Sequence, residues 1–155
     1  MDGLGEAVRC GHTATHRPAL FATFITDRNL AKRTSIRPQH RRTPIFNTRF
    51  NQSLTLDNAT VNGNTATTGN GGGIYSLSTL SATDTSINNN SATAGDGGGI
   101  YNSAIFHAAS VTFDTSVTVR SNTALSGGGV FNTDGGTYTI PAGDVFGNAV
   151  GDIVG

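Results

Sequence analysis

The stretch Gly71-Gly72-Gly73-Ile74-Tyr75 decides the fold, because it returns twice along the chain. Residues 97–101 repeat it unchanged, and residues 127–131 repeat it as Gly-Gly-Gly-Val-Phe. The first two copies are 26 residues apart, and shifting the sequence by 26 residues also places Leu54 on Leu80. A period of this length is typical of a solenoid, in which equivalent positions of successive units stack on one another.

The residues between the triplets predict short strands. Leu54-Thr55-Leu56 and Thr137-Tyr138-Thr139-Ile140 alternate with a period of two, are rich in β-branched residues and are bounded by Gly and Asn. Glycine triplets exclude helix. Units this small cannot bury their own apolar side chains, so they must stack and share one interior. The sequence therefore predicts an all-β, right-handed parallel β-helix (solenoid) of about four coils over residues 45–155, incomplete at both ends.

Corners between the strands need residues that tolerate positive φ, and Gly and Asn supply them. Asn64, Asn90 and Asn122 occupy equivalent positions, and Asn148 is a candidate fourth member. Stacked side-chain amides can donate and accept between coils. We therefore expect these residues to form a structural ladder.

Two carboxylates are the candidate site for chemistry. Residues 114–117 (Asp-Thr-Ser-Val) match residues 84–87 (Asp-Thr-Ser-Ile), so Asp84 and Asp114 are expected to stack in successive coils. Such a pair is a candidate Ca²⁺ site through oxygen ligands, or an acid–base pair for glycoside hydrolysis. A solvated polar turn is the alternative, since the first unit carries Asn58 there. We assign no catalytic residue and no other cofactor.

Tyr75, Tyr101 and Phe131 directly follow the glycine triplets and form the candidate carbohydrate contact, because aromatic rings can stack on sugars. The alternative is that they close the corner or pack against the leader. His107 and Arg120 have no catalytic partner at a recognisable spacing. We expect an exposed loop histidine and an arginine paired with a neighbouring Asp.

The net charge of zero hides a division of the chain. Nine of the ten basic residues lie in the first fifty positions with three acids, whereas residues 51–155 hold one Arg and seven Asp. Residues 1–44 have no apolar period and are predicted to be a basic leader that is disordered or not native, for instance translated in a shifted reading frame. A nucleic-acid-binding arm is disfavoured because aromatic interleaving is missing, so we predict no nucleic-acid partner.

Composition excludes several other classes. The single cysteine, Cys10, cannot build a disulfide framework, and no apolar run is long enough for a transmembrane span. A calcium-loaded β-roll needs Asp where Tyr75 and Tyr101 stand. Disorder throughout fits the low aromatic content but not the register of the apolar columns.

The run from Leu54 to Ala66, followed by the first glycine triplet, resembles the right-handed parallel β-helix repeats of bacterial surface proteins. It is similar to the polymorphic outer-membrane proteins with their GGAI and FxxN repeats, over residues 45–155. The resemblance implies an exported protein, extracellular or at the bacterial cell surface or outer membrane. Its segment would be structural or adhesive, with no enzyme activity of its own, and its partner a polysaccharide or a host or neighbouring cell surface. Pectate lyases look similar in fold, so a fragment of a carbohydrate-active enzyme is the alternative.

Overall fold

The computed structural model describes residues 43–49 and 53–155, and it also places a short strand at residues 23–24. Most of the predicted leader, residues 1–44, lies outside the described residues. The described chain forms strands and turns without a helix. The strands are β1 (Thr23–Phe24), β2 (Ile45–Asn47), β3 (Ser53–Asp57), β4 (Thr60–Asn62), β5 (Thr65–Ala66), β6 (Ile74–Ser76), β7 (Thr79–Thr83), β8 (Ser86–Asn88), β9 (Ser91–Ala92), β10 (Ile100–Ser103), β11 (Ser110–Phe113), β12 (Thr118–Arg120), β13 (Val130–Thr133), β14 (Thr137–Thr139), β15 (Val145–Phe146) and β16 (Ile153–Val154).

The strands form three long parallel sheets and one short one. The six-stranded sheet has the order β1-β2-β6-β10-β13-β16, and two four-stranded sheets have the orders β14-β11-β7-β3 and β15-β12-β8-β4. Strands β5 and β9 make a two-stranded sheet at the next corner. Each passage around the molecule contributes one strand to each long sheet. The chain is therefore a parallel β-solenoid of about four coils, which confirms the predicted fold class.

Equivalent positions of successive units lie over one another. Leu54 pairs with Leu80, and Ile74 pairs with Ile100, one strand apart. Neighbouring strands of a sheet are separated by about 4.8 Å. The repeat of the sequence is therefore the repeat of the structure, as predicted.

The core is a narrow aliphatic column between the sheets. Its members come from alternate positions of short strands, so one face of each sheet points inward. The middle coils bury their apolar side chains completely, and these are Ile74, Leu80, Ile87, Ile100, Val111, Val119 and Val130. Tyr138 pairs with Val111 in the last coil, at the end of a core column, and is 41% exposed. Burial therefore weakens toward the last coil.

The structure requires glycine in the triplets for two different reasons. The first glycine of each triplet has positive φ, for example +70° at Gly71. The second and third do not, but a Cβ at Gly72 would lie 2.4 Å from the carbonyl oxygen of Gly98 in the next coil. Backbone approaches this close admit no side chain. Within the triplets, the prediction that corner glycines serve positive φ is thus confirmed for the first position and not for the other two.

The third coil corrects one alignment. Ser86 pairs with Thr118 and Ile87 with Val119, not with Ser116 and Val117 as the Asp-Thr-Ser match predicted. The strand before the corner still pairs in order, so the third coil holds one extra residue between Phe113 and Thr118. The shift buries Val117, which is 1% exposed, at this corner.

Candidate functional site

An unbroken column of aromatic side chains runs along the outward face of the six-stranded sheet. The in-register pairing of β2, β6, β10 and β13 brings its members together, one from each coil. They are Phe46, Tyr75, Tyr101 and Phe131, and we call this set the aromatic column. The structure thus brings together all three of the predicted carbohydrate-contact residues. It adds Phe46, which the motif Ile45-Phe46-Asn47 could have signalled although no glycine triplet precedes it.

The rings of the three later coils are stacked with nearly parallel planes. The centroids of Tyr75 and Tyr101 are 5.1 Å apart with planes at 8°, and those of Tyr101 and Phe131 are 5.7 Å apart at 5°. Phe46 and Tyr75 are 5.8 Å apart and tilted by 40°. These centroid distances exceed the roughly 3.5 Å that separates rings in full face-to-face contact. Neighbouring rings therefore cover one another only in part, and all four side chains are half-buried.

A polar and acidic rim flanks the column. Burial raises the pKa of Tyr101 above its usual value, hydrogen bonds with Ser103 and Asn70 lower it, and the charges of Asp134 and Asp96 raise it. The rim is itself ordered, because the Ser103 hydroxyl donates to Asp134 Oδ2 over 2.6 Å and the backbone N–H of Asp96 donates to Asn70 Oδ1 over 2.9 Å. Carboxylates and amides thus border an aromatic surface.

Inside the corner after the third long sheet, Asn64, Asn90, Asn122 and Asn148 form a hydrogen-bonded amide ladder. The backbone N–H and the Nδ2 of Asn90 both donate to Asn122 Oδ1, over 2.8 and 3.0 Å. Asn64 donates in the same way to Asn90, and Asn122 to Asn148. The second hydrogen of Asn90 Nδ2 goes to the carbonyl of Val61 over 3.0 Å. Every donor and acceptor of the Asn90 side chain is therefore used.

The ladder ends on a carboxylate. The backbone N–H and Nδ2 of Asn148 donate to Asp152 Oδ1 over 2.9 and 3.0 Å. Asp152 comes from the same coil, four residues further on, and takes the position of acceptor that an asparagine fills elsewhere in the ladder.

A second polar column lies inside the six-stranded sheet, and sequence reasoning missed it. Asn47, Ser76, Asn102 and Asn132 share one register position and are all buried. Nδ2 of Asn47 donates to the hydroxyl of Ser76, and Nδ2 of Asn102 to Oδ1 of Asn132. Ser76 donates its hydrogen to the carbonyl of Ser78, and Oδ1 of Asn102 is buried without a partner. The sequence signal for this column is a polar residue two places after the Ile or Val that follows each glycine triplet. This residue is Asn in two coils but Ser in the coil of Ile74, which made the repetition harder to recognise.

The two carboxylates of the predicted pair do not share a register position. Asp114 follows Phe113, which pairs with Ala82, so it lies opposite Thr83, whereas Asp84 lies one residue further along. The backbone N–H of Asp84 donates to the hydroxyl of Ser116 over 2.7 Å. Hydrogen bonds from the Ser116 hydroxyl and backbone N–H hold the pKa of Asp114 below its usual value. The local structure is thus a hydrogen-bonded turn, and the Ca²⁺ role of this pair stays a prediction.

Asp144 is a buried carboxylate that the repeat did not reveal. It precedes β15 and lies opposite Thr118, at the end of a column that carries Thr60 and Ser86 in the earlier coils. It is 8% exposed, and its Oδ2 has no hydrogen-bond partner. Burial raises the pKa of Asp144, and the charge of Asp114 raises it further. Within residues 43–49 and 53–155, no group of three or more His, Cys, Asp or Glu is placed to hold a metal ion.

His107 lies in an exposed loop, residues 104–109, between β10 and β11, as the sequence predicted. Arg120 is exposed on β12, where its backbone N–H donates to Asn88 Oδ1 over 3.2 Å. Neither side chain belongs to the aromatic column or the amide ladder. Over the described part of the chain, no helix has the length and hydropathy needed to cross a membrane.

Comparison with known proteins supports the same repeat. Residues 58–77 and 84–103 each match the Chlamydia polymorphic membrane protein repeat. No curated protein and no solved structure matches the chain significantly. The two matched segments begin at Asn58 and Asp84, which occupy equivalent positions in successive coils, so the matches recur at the spacing of the structural coil. The chain is a β-helix repeat protein similar to the polymorphic membrane proteins, and such repeats indicate a protein of the bacterial surface or outer membrane.

Proposed function

We propose that this β-helix is a structural and adhesive segment of an exported bacterial surface protein, and that the aromatic column is its contact surface for polysaccharide. The observation that carries the proposal is the register of the column. It places four half-buried rings side by side on one outward sheet face. A patch of aligned aromatic side chains of this kind marks a site of interaction more often than scattered apolar residues do.

The chemistry of the column suits sugars. The uncovered part of a ring can pack against the C–H face of a pyranose, which removes apolar surface from water on both sides. Sugar hydroxyls then need hydrogen-bond partners, and the bordering side chains of Asn70, Asp96 and Asp134 provide them. Both requirements are met along the same strip.

The interior suits a rigid support. The amide ladder and the aliphatic column join each coil to the next, so hydrogen bonds and apolar packing hold the contact surface in place. Preorganised surfaces lose less conformational entropy on binding, which favours affinity for a repetitive ligand.

A polysaccharide-active enzyme is the second candidate, and one observation favours it. Asp114 and Asp144 come from adjacent coils; hydrogen bonds from Ser116 lower the pKa of Asp114, whereas burial and then the charge of Asp114 raise the pKa of Asp144. Asp144 is buried, however, and Asp114 is the exposed carboxylate of the two. Release of unsaturated or reducing sugar ends by the intact chain, abolished by Asp114→Asn, would establish this activity in place of simple binding.

The adhesive proposal is tested by binding of the full chain to a panel of immobilised polysaccharides. Tyr101→Ser removes one of the two middle rings, and we expect at least a tenfold loss of affinity for the polysaccharides that bind. The matched control is Tyr138→Ser, which removes an exposed ring outside the column. Equal affinities for the Tyr101→Ser variant and the parent chain, or no binding to any polysaccharide, would overturn the proposal.

A further inference from the structure

The direction and spacing of the aromatic column restrict the shape of a ligand. One ring is contributed by each coil, so the column runs along the axis of the β-helix and across the strands. The centroid spacings of 5.1, 5.7 and 5.8 Å are nearly uniform. They are close to the length of one sugar unit in an extended β-linked glycan. An extended chain laid along the column therefore meets one ring with each successive sugar.

The charge around the column restricts the chemistry of the ligand. Besides burial, the charges of Asp134 and Asp96 raise the pKa of the Tyr101 hydroxyl, and the charge of Asp134 also raises the pKa of Tyr75. Two described residues are basic, Arg49 and Arg120. Arg120 lies on a different sheet, and Arg49 follows β2 in the first coil, so within residues 43–49 and 53–155 the charged groups beside Tyr75 and Tyr101 are carboxylates. Acidic sugars would be repelled there, whereas neutral or amino sugars would not.

We infer that the ligand is a linear, extended glycan without acidic groups, bound parallel to the β-helix axis with one sugar per aromatic ring. This inference rests on the proposed function, since it specifies the polysaccharide that the column takes. Such a ligand also differs from a uronate polymer, whose carboxylates would be complementary to cationic groups and not to the acidic border of the column.

The test uses the full chain and three series of soluble oligosaccharides from two to six units: β-1,4-linked glucose, β-1,4-linked glucosamine and oligogalacturonate. Binding is measured by calorimetry at low and at high salt. Affinity for the first two series should rise by about three- to tenfold per added sugar up to four units, because the described side chains supply four rings to the column. Oligogalacturonate should bind at least tenfold more weakly.

The variants separate ring contact from charge. Tyr101→Ser should stop the rise of affinity with length, and Tyr101→Phe, which keeps the ring and the fold, should retain it. Asp96→Asn with Asp134→Asn should remove any preference for glucosamine over glucose oligomers while leaving the glucose series unchanged. That preference in the parent chain should shrink at high salt.

The outcomes distinguish the two levels of the proposal. Ring-dependent binding that prefers oligogalacturonate, or that does not change with oligosaccharide length, would overturn the inference and leave the adhesive function standing. Failure of every oligosaccharide and every immobilised polysaccharide to bind in a ring-dependent way would overturn both.

Discussion

The amide ladder and the aromatic column are both built from one residue per coil, yet they relate to their surroundings in opposite ways. Inside, Asn90 and Asn122 are almost completely buried, and their side chains exchange hydrogen bonds with the coils on either side. Outside, Tyr75 and Tyr101 touch ring to ring but remain half-buried, with hydroxyls that face an acidic border.

The difference shows how repetition can serve either stability or binding. The two middle amides of the ladder, Asn90 and Asn122, have every side-chain donor and acceptor occupied by a neighbouring coil, so nothing remains for a ligand. A ring in the column is only partly covered by its neighbours, because the strand spacing is larger than the thickness of an aromatic ring. Stacking along the same axis thus closes one surface and leaves the other available.

Breaking the ladder should have the largest effect on stability. Asn90→Ala removes the acceptor of two donors from Asn64 and the donor to Val61 O, all in a buried corner. We expect a loss of about 3–5 kcal/mol in the free energy of unfolding, since each orphaned buried group costs about 1–3 kcal/mol. Urea denaturation followed by circular dichroism measures it.

The matched control is Asn62→Ala, an exposed asparagine on β4 that accepts one hydrogen bond from Asn89. It should change stability by less than about 0.5 kcal/mol. Similar losses for the two variants would contradict the role assigned to the ladder.

Breaking the column should cost less stability. Tyr101→Ala removes ring contacts with Tyr75 and Phe131, and we expect a loss of roughly 1–2 kcal/mol, because the ring is only half-buried. Tyr101→Phe should stay within about 0.5 kcal/mol of the parent chain. Denaturation under the conditions used for Asn90→Ala gives the comparison, and a loss as large as that of the ladder variant would show that the column is chiefly structural.

The smallest change in stability is expected in a third column, the one that ends at Asp144. Asp144→Thr restores the hydroxyl residue type found at Thr60, Ser86 and Thr118, and it removes a buried carboxylate oxygen without a partner. We expect a gain of about 1 kcal/mol at pH 7. Burial raises the pKa of Asp144 in the folded state, so the folded chain binds this proton more tightly than the unfolded chain, and the parent chain loses stability as the pH rises through the folded pKa.

The gain from Asp144→Thr should therefore shrink as the pH falls toward 3.8, the ordinary pKa of the group. Asp114→Asn should behave in the opposite sense, because hydrogen bonds from Ser116 lower the pKa of Asp114 and stabilise its charged form. Its destabilising effect should be present near pH 7 and vanish in acid. Thermal melting of both variants between pH 3 and 7 measures the two trends, and parallel trends would refute the assignment.

The repeat made the coil, its register and the main columns predictable from sequence. Equivalent residues such as Leu54 and Leu80 recur at a fixed spacing, and a parallel stack is the arrangement that buries them together. The column of Tyr75, Tyr101 and Phe131 followed from the same spacing, since each residue is fixed relative to its glycine triplet.

Prediction failed where the spacing changed or where the cause was non-local. The single extra residue before Thr118 was hidden by a local Asp-Thr-Ser match, and the pairing of Thr118 with Ser86 in the folded chain reveals the true register. The second and third glycines of each triplet respond to the carbonyls of the next coil, which no local conformational rule anticipates. Asp144 lies outside the repeated motifs, so its burial required the folded chain.

The loop at residues 104–109 shows how freely one corner can vary in length. Two residues, Leu77 and Ser78, make the same connection in the coil before it, yet Ser103 and Ser110 on either side of the longer loop keep their pairing with the neighbouring coils. Ile105 and Phe106 are directed away from the stack and are 59% and 64% exposed. Foreign peptides grafted into this loop would therefore be displayed from one defined coil of the β-helix without disturbing the strand pairing on either side.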